Sequence, residues 1–178
     1  ANLPENTKIV RMNTNGSRMI KELEDILKQR IMVIVTLSFD GTKKIHDYVR
    51  WPIKWVNYEK TVKAYKDLQK QYPLLKLNCW TTVSSLNVAD LPSILDFATE
   101  QNLDHAWALL KYPSALDVKY KNKFTTDAKE KLTNSSYKVC RDMADKIAID
   151  EDNDKKLDLF IKRQDFLRKI DIKDYFNF

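Results

Sequence analysis

Cysteine and histidine are scarce in this sequence, two of each, and their spacing excludes more chemistry than it offers. Cys79 and Cys140 are the two cysteines, too few and too far apart for a metal knuckle. Reduced, structural thiols are the better reading. The two histidines, His46 and His105, are isolated, and no G-x-G-x-x-G, phosphate-loop or G-x-S-x-G motif occurs. What remains is a pair of polar segments, each holding one of the chain's glycines: Thr14-Asn15-Gly16-Ser17 and Ser38-Phe39-Asp40-Gly41. Average usage would give about twelve glycines in a chain of this length. There are two, Gly16 and Gly41, so their positions are informative about turns.

Those segments must be positioned by regular elements. KIVRMNT (8–14) alternates apolar and polar residues and predicts a strand. Ser17 is then placed to cap a helix running to residue 29, with Met19, Ile20, Leu23, Ile26 and Leu27 at helical spacing. IMVIVTL (31–37) is a continuous apolar run, as in a parallel strand covered on both faces. A polar loop follows Gly41, and a helix is expected over 55–71, with Tyr58, Val62, Tyr65, Leu68 and Tyr72 on one face and Pro73 closing it. LKLNCWTTV (75–83) predicts the third strand. Asn87 or Asp90 would cap a short helix with Pro92 in its first turn, and HAWALL (105–110) predicts the fourth strand. After Pro113 the pattern becomes helical, near 125–133, 137–148 and 154–170, with an acidic turn Asp150-Glu151-Asp152.

Strands alternating with helices through short loops imply βαβ units and a parallel sheet. Both glycines then follow the C-terminal ends of strands, the rim at which ligands bind in α/β folds. Turn geometry alone would also account for each. Strand alternation puts Arg11, Asn13, Asn15, Thr36, Ser38, Asn78, Trp80, Thr82, His105 and Trp107 on one face, and more apolar residues, among them Val33, Leu77, Ala106 and Ala108, on the other. A polar, aromatic face opposite a helix-covered one fits a barrel wall. Ordered water in an ordinary core would also satisfy such groups. The expected class is α/β: a partial (β/α) barrel of about four parallel strands with outer helices. Residues 1–115 form the half barrel, and 116–178 form a helical extension packed on the same domain.

The segments TNGS (14–17), SFDGTKKIHDYVRW (38–51) and TTVSSLN (81–87) together resemble the radical S-adenosylmethionine family, in its branch with a SPASM or twitch C-terminal region. The resemblance covers roughly residues 8–115. It implies that the four strands are the third to sixth of a partial (β/α)₆ barrel. It also implies that Ser38 and Arg50, in S-x-D-G-x8-R, hydrogen-bond the ribose and carboxylate of S-adenosylmethionine. A guanidinium forks naturally onto a carboxylate. Asn15 and Asp40 lie at the same rim, lining the pocket or shaping turns, and Asn87 and Leu109 fall near positions flanking the adenosyl group. Ser38, Arg50 and Asn15 are expected to face one concavity. His46-Asp47 reads better as a local helix cap than as catalytic.

The sequence departs from that family in lacking the C-x3-C-x2-C loop that holds a 4Fe-4S cluster. The first two barrel strands and the glycine-rich segment after the second are also missing. The chain therefore reads as a fragment of a longer gene or a degenerate relative. Its intact form would reductively cleave S-adenosylmethionine and abstract hydrogen from a peptide or small substrate. This chain alone is expected to bind no cluster, to bind S-adenosylmethionine weakly or not at all, and to be inactive. The alternatives are a non-catalytic α/β interaction module and a nucleic-acid-binding domain. The net charge of +6 favours the last, but lysines alternate with acids in KELEDILK and EDNDKKLD, as on a solvated mixed surface, so no nucleic-acid partner is expected. With no long apolar run and an N-terminal ANLPENTKIV unlike a signal peptide, a cytoplasmic protein without membrane contact is expected. An open strand at 8–14 and exposed Trp80 and Trp107 would favour a homodimer.

Overall fold

A computed structural model describes residues 3–147 and 153–176. Four strands, β1 (Ile9–Thr14), β2 (Met32–Ser38), β3 (Leu75–Val83) and β4 (Asp104–Leu109), form one parallel sheet in the order β1-β2-β3-β4. Helices α1 (Leu23–Lys28), α3 (Trp55–Gln71) and α4 (Leu91–Glu100) connect the strands, and α2 (Lys43–Val49) precedes α3. The sheet and these crossovers form the expected α/β architecture of four parallel strands with outer helices.

One face of the sheet is covered. Val33, Val35, Leu37, Leu75, Leu77 and Cys79 pack against Leu23, Ile26 and Leu27 of α1, Tyr58, Val62 and Tyr65 of α3, and Ile94, Phe97 and Ala98 of α4. On the other face Arg11, Asn13, Lys76, Trp80, Asp104 and Ala106 are exposed. The alternation that assigned these faces holds for β1, β2 and β3 but is off by one in β4. The pairs Cys79–His105, Thr81–Trp107 and Val83–Leu109 put His105, Trp107 and Leu109 on the covered face, and Ala106 opposite Trp80 on the open one. The correction has a steric reason. Ala106 is the cross-strand partner of Trp80, and a small residue there leaves room for a large neighbour on the same face. Trp107 turns instead into a second core with Val83, Leu95 and Cys140, where its ring loses more contact with water.

The first connection also differs from expectation. The helix starts at Leu23, not at Ser17. Asn15 Oδ1 accepts from Ser17 N–H at 3.1 Å, and Ile20 N–H donates to Tyr65 Oη at 3.1 Å, which ties residues 15–20 across α3 as a loop. Gly16 has φ +70°, and a Cβ there would overlap the ring edge of Tyr58. Glycine is thus required twice over, by conformation and by space. After Gly41 the expected loop is helix α2, started by Thr42 C=O accepting from Ile45 and His46 N–H and held by burial of His46 and Tyr48.

Beyond β4 the chain forms α5 (Lys123–Thr133), α6 (Lys138–Ala144) and α7 (Asp154–Arg168). α5 starts with a capping box, Asn122 Oδ1 taking Phe124 and Thr125 N–H while Thr125 Oγ1 takes Asn122 N–H. α5 and α6 close the core around Val83 and Leu91. α7 buries Leu157 and Ile161 with Tyr48, Leu86 and Leu116. Helix α6 ends at Ala144, and the anticipated acidic turn 150–152 lies outside the described residues. Among the described residues no helix is long and apolar enough to cross a membrane.

Candidate functional site

The C-terminal ends of β2 and β3 meet in a braced polar rim. Asp40 follows β2 and accepts from Thr82 N–H at 2.7 Å, while its second oxygen lies 2.8 Å from Arg50 Nε. The Arg50 Nε–H does not aim along that line, so the contact is an ion pair more than a directed hydrogen bond. Burial raises the Asp40 carboxyl above the usual carboxylate range, opposed by the Arg50 charge and the Thr82 N–H. Arg50 is the residue that ends α2, so that short helix turns the chain back and delivers the guanidinium to the turn it left.

Asn87 is buried, and its polar atoms are committed to the chain. Nδ2 donates to the carbonyls of Asp40 and Thr82, both at 2.9 Å, and Oδ1 accepts from Ser84 N–H at 2.6 Å. It ties the β2 and β3 loops together rather than capping a helix. Asp90 does not cap α4 either; it accepts from Thr42 N–H at 2.5 Å and from Thr42 Oγ1. Asp47 Oδ1 accepts from Trp55 N–H at 2.6 Å and caps α3 from outside that helix. His46 has no such part: its ring is buried between Trp55 and Tyr58, with centroids 5.2 and 4.9 Å away, and neither nitrogen has a hydrogen-bond partner.

The residues expected to share one concavity are divided. Ser38 lies in a recess of about 590 Å³ on the open face of the sheet, with Arg11, Thr36, Asn78 and Trp80. Asp40 and Arg50 line a separate cleft of about 400 Å³ with Ser84, Leu86 and Leu110. Asn15 is exposed and bonded to Ser17, so it shapes its turn. Leu109 is on the helix-covered side with Val83, away from both Ser38 and Arg50. The division follows from the alternation of β2: Ser38 points to the open face, Phe39 into the core, and the chain then leaves the sheet.

The fourth wall of the cleft was not legible from the rim motifs. Phe160, Gln164 and Arg168 of α7 complete it. Arg168 Nη1 donates to Tyr48 C=O at 2.9 Å, and Tyr48 Oη donates to Asp165 Oδ1 at 2.8 Å. Their positions at i, i+4 and i+8 put them on one helical face, the only hint the sequence offers.

The two thiols do not meet. Cys79 lies in β3 and Cys140 in α6, in different cores, and burial pushes Cys79 up to about 12. Among the described residues no three His, Cys, Asp or Glu side chains gather as metal ligands.

No family model and no curated protein matches the chain. Among solved structures it is similar to native anSMEcpe with bound AdoMet and to the same protein with AdoMet and a Kp18Cys peptide. In both cases identity is 19%, the TM-score is 0.45, and the match covers 90% of this chain and 38% of the other. The chain thus spans well under half the length of those proteins.

Proposed function

We propose that this chain is part of a radical S-adenosylmethionine enzyme, whose intact form cleaves S-adenosylmethionine reductively and takes hydrogen from a peptide or small substrate. The observation that carries the reading is the return of Arg50 onto Asp40 at the rim, which gives the S-x-D-G-x8-R spacing a physical purpose. Asp40 holds the guanidinium through Nε, leaving its outer nitrogens for a carboxylate. Ser38, on the other side of the strand end, would meet a different part of the same extended ligand. The residues present do not fit the iron–sulfur cluster, since two separated thiols cannot supply three adjacent thiolates. The chain alone is therefore expected to bind S-adenosylmethionine weakly and not to cleave it.

Anaerobic reconstitution with iron and sulfide, followed by calorimetry with S-adenosylmethionine, tests both halves. The expected results are no stoichiometric iron uptake and a dissociation constant near 1 mM that Arg50→Gln weakens further. Four irons per chain, or micromolar binding indifferent to Arg50, would refute the reading. Genomic DNA upstream of Ala1 offers an independent check: an in-frame C-x3-C-x2-C supports a radical enzyme, and its absence favours a non-catalytic interaction module.

A further inference from the structure

Helix α7 rests on the domain through Leu157, Phe160 and Ile161, and its opposite face is open. Leu159, Phe166 and Leu167 on that face are 69, 83 and 62% exposed. Leu159 and Phe166 are seven residues apart, so they stand on one line about 10 Å long. Lys155 and Lys162 border that line on one side, Lys156 and Arg163 on the other, and all four are exposed. Among the described residues none of these four side chains has a hydrogen-bond or ion-pair partner. The carboxylates of α7 lie nearer its buried side and are half-buried. Asp158 pairs with Lys123 Nζ at 3.2 Å, Asp154 accepts from Lys123 N–H at 3.0 Å, and Asp165 accepts from Tyr48 Oη. Lys123 and Arg168 offset two of those three charges, which leaves one negative charge inside against four positive charges outside.

We propose that the outer face of α7 docks on an anionic lipid surface, with Leu159, Phe166 and Leu167 entering the headgroup boundary and the four cations meeting lipid phosphates and carboxylates. Lysine and arginine stems lie along an apolar row while their charged ends reach outward, which suits cations set on both sides of that row. The face is a convex helix with projecting side chains. A protein partner would need a groove with an apolar floor and acids on both rims, whereas an anionic bilayer supplies apolar depth and negative charge to a convex face without a matching shape. A surface contact needs no spanning segment, so the lack of a long apolar run, the ground for expecting no membrane contact, does not bear on it. The inference stands apart from the function proposed above and uses none of its residues.

Co-sedimentation of the full chain with phosphatidylcholine vesicles, with and without about one-third phosphatidylserine, is the test. The expected result is binding to the anionic vesicles only, falling as salt is raised. Lys162 and Arg163 are the pair further in sequence from the acidic residues 150–152. Lys162→Glu with Arg163→Glu should weaken binding at least about thirtyfold, and Phe166→Ser at least about tenfold. These side chains are exposed, so both variants should fold, and circular dichroism checks them. Lys60→Glu with Lys63→Glu on α3 changes the net charge equally and should alter binding less than about threefold. No binding to anionic vesicles, equal binding to neutral ones, or an equal loss with the α3 pair overturns the proposal. Soluble polyglutamate bound as tightly as the vesicles at equal charge overturns it in favour of an acidic protein. A dimer in light scattering that Phe166→Ser dissociates overturns it in favour of a second copy.

Discussion

Replacing His46 by Phe should leave stability near neutral pH almost unchanged while removing much of the protein's sensitivity to mild acid. The imidazole is fully buried among Trp55 and Tyr58, with both nitrogens unpaired. Burial, reinforced by the Arg50 charge and opposed by Asp47 and the Gly41 backbone, lowers its pKa from 6.5 to about 4. The unfolded chain therefore takes up the proton first as pH falls. The stability tied to neutral His46 is complete above about pH 6.5 and is lost as pH falls toward 4. At about 1.4 kcal/mol per pH unit, the gap corresponds to roughly 3 kcal/mol. At pH 7 two effects of Phe oppose each other. Removing unpaired buried nitrogens gains about 1–3 kcal/mol, and fitting a larger ring costs about 1–3 kcal/mol. Urea unfolding followed by tryptophan fluorescence, at pH 7 and about pH 4.5, measures both variants. Asp40 and Asp90, both raised by burial, and His105, lowered by it, contribute to each profile and cancel in the difference. Parallel pH profiles, or a loss above about 2 kcal/mol at pH 7 in the Phe variant, would refute the reasoning.

Asp40→Asn leaves the Arg50 charge unpaired at the rim. Both side chains keep some exposure, so a loss of about 2 kcal/mol is expected by urea unfolding, below the full cost for a buried pair; an unchanged midpoint would show the pair to be idle. Gly16→Ala must adopt φ +70° against the ring of Tyr58 and should cost about 2–3 kcal/mol, read as a lowered Tm; a neutral result would mean the loop can swing away. We propose that the chain pairs with a second copy through its open face and the free edge of β1, where Ile9 and Trp80 are exposed. Light scattering should give about twice 21.0 kDa, and the monomer mass would defeat the idea.

Local rules made the strands readable. The apolar, β-branched run at 31–37 reads correctly as a strand, although the expected cover on both faces is not found: Val33, Val35 and Leu37 are buried, while Ile34, Thr36 and Ser38 line the open recess. Pro73 and Pro92 punctuate their helices wherever the rest of the chain goes. The short helix at 43–49 escaped because its driving force is distant. Tyr48 is buried by Ile161 and Ile172, far ahead in the chain, so the apolar period of α2 is too short to be seen alone. The same holds for residues 17–22, whose side chains have helical spacing but whose backbone is claimed by Asn15 and Tyr65.

The sequence by itself determined the α/β class, the order of the elements, and the two glycine turns at the strand ends, because each depends on periodicity or backbone freedom within a few residues. Tertiary structure alone decided which face of β4 is buried, since alanine alternating with His105 and Trp107 fits either side until pairing with β3 sets the register. It also decided that Ser38 and Arg50 open into different recesses, and that Asn87 is consumed in bracing the rim. The cleft's last wall comes from α7, more than a hundred residues beyond Arg50, and only the packing of Leu157 and Ile161 against Tyr48 brings Arg168 there. A contact of that sequence separation leaves no local pattern, because its stabilisation arises only once the chain has closed on itself.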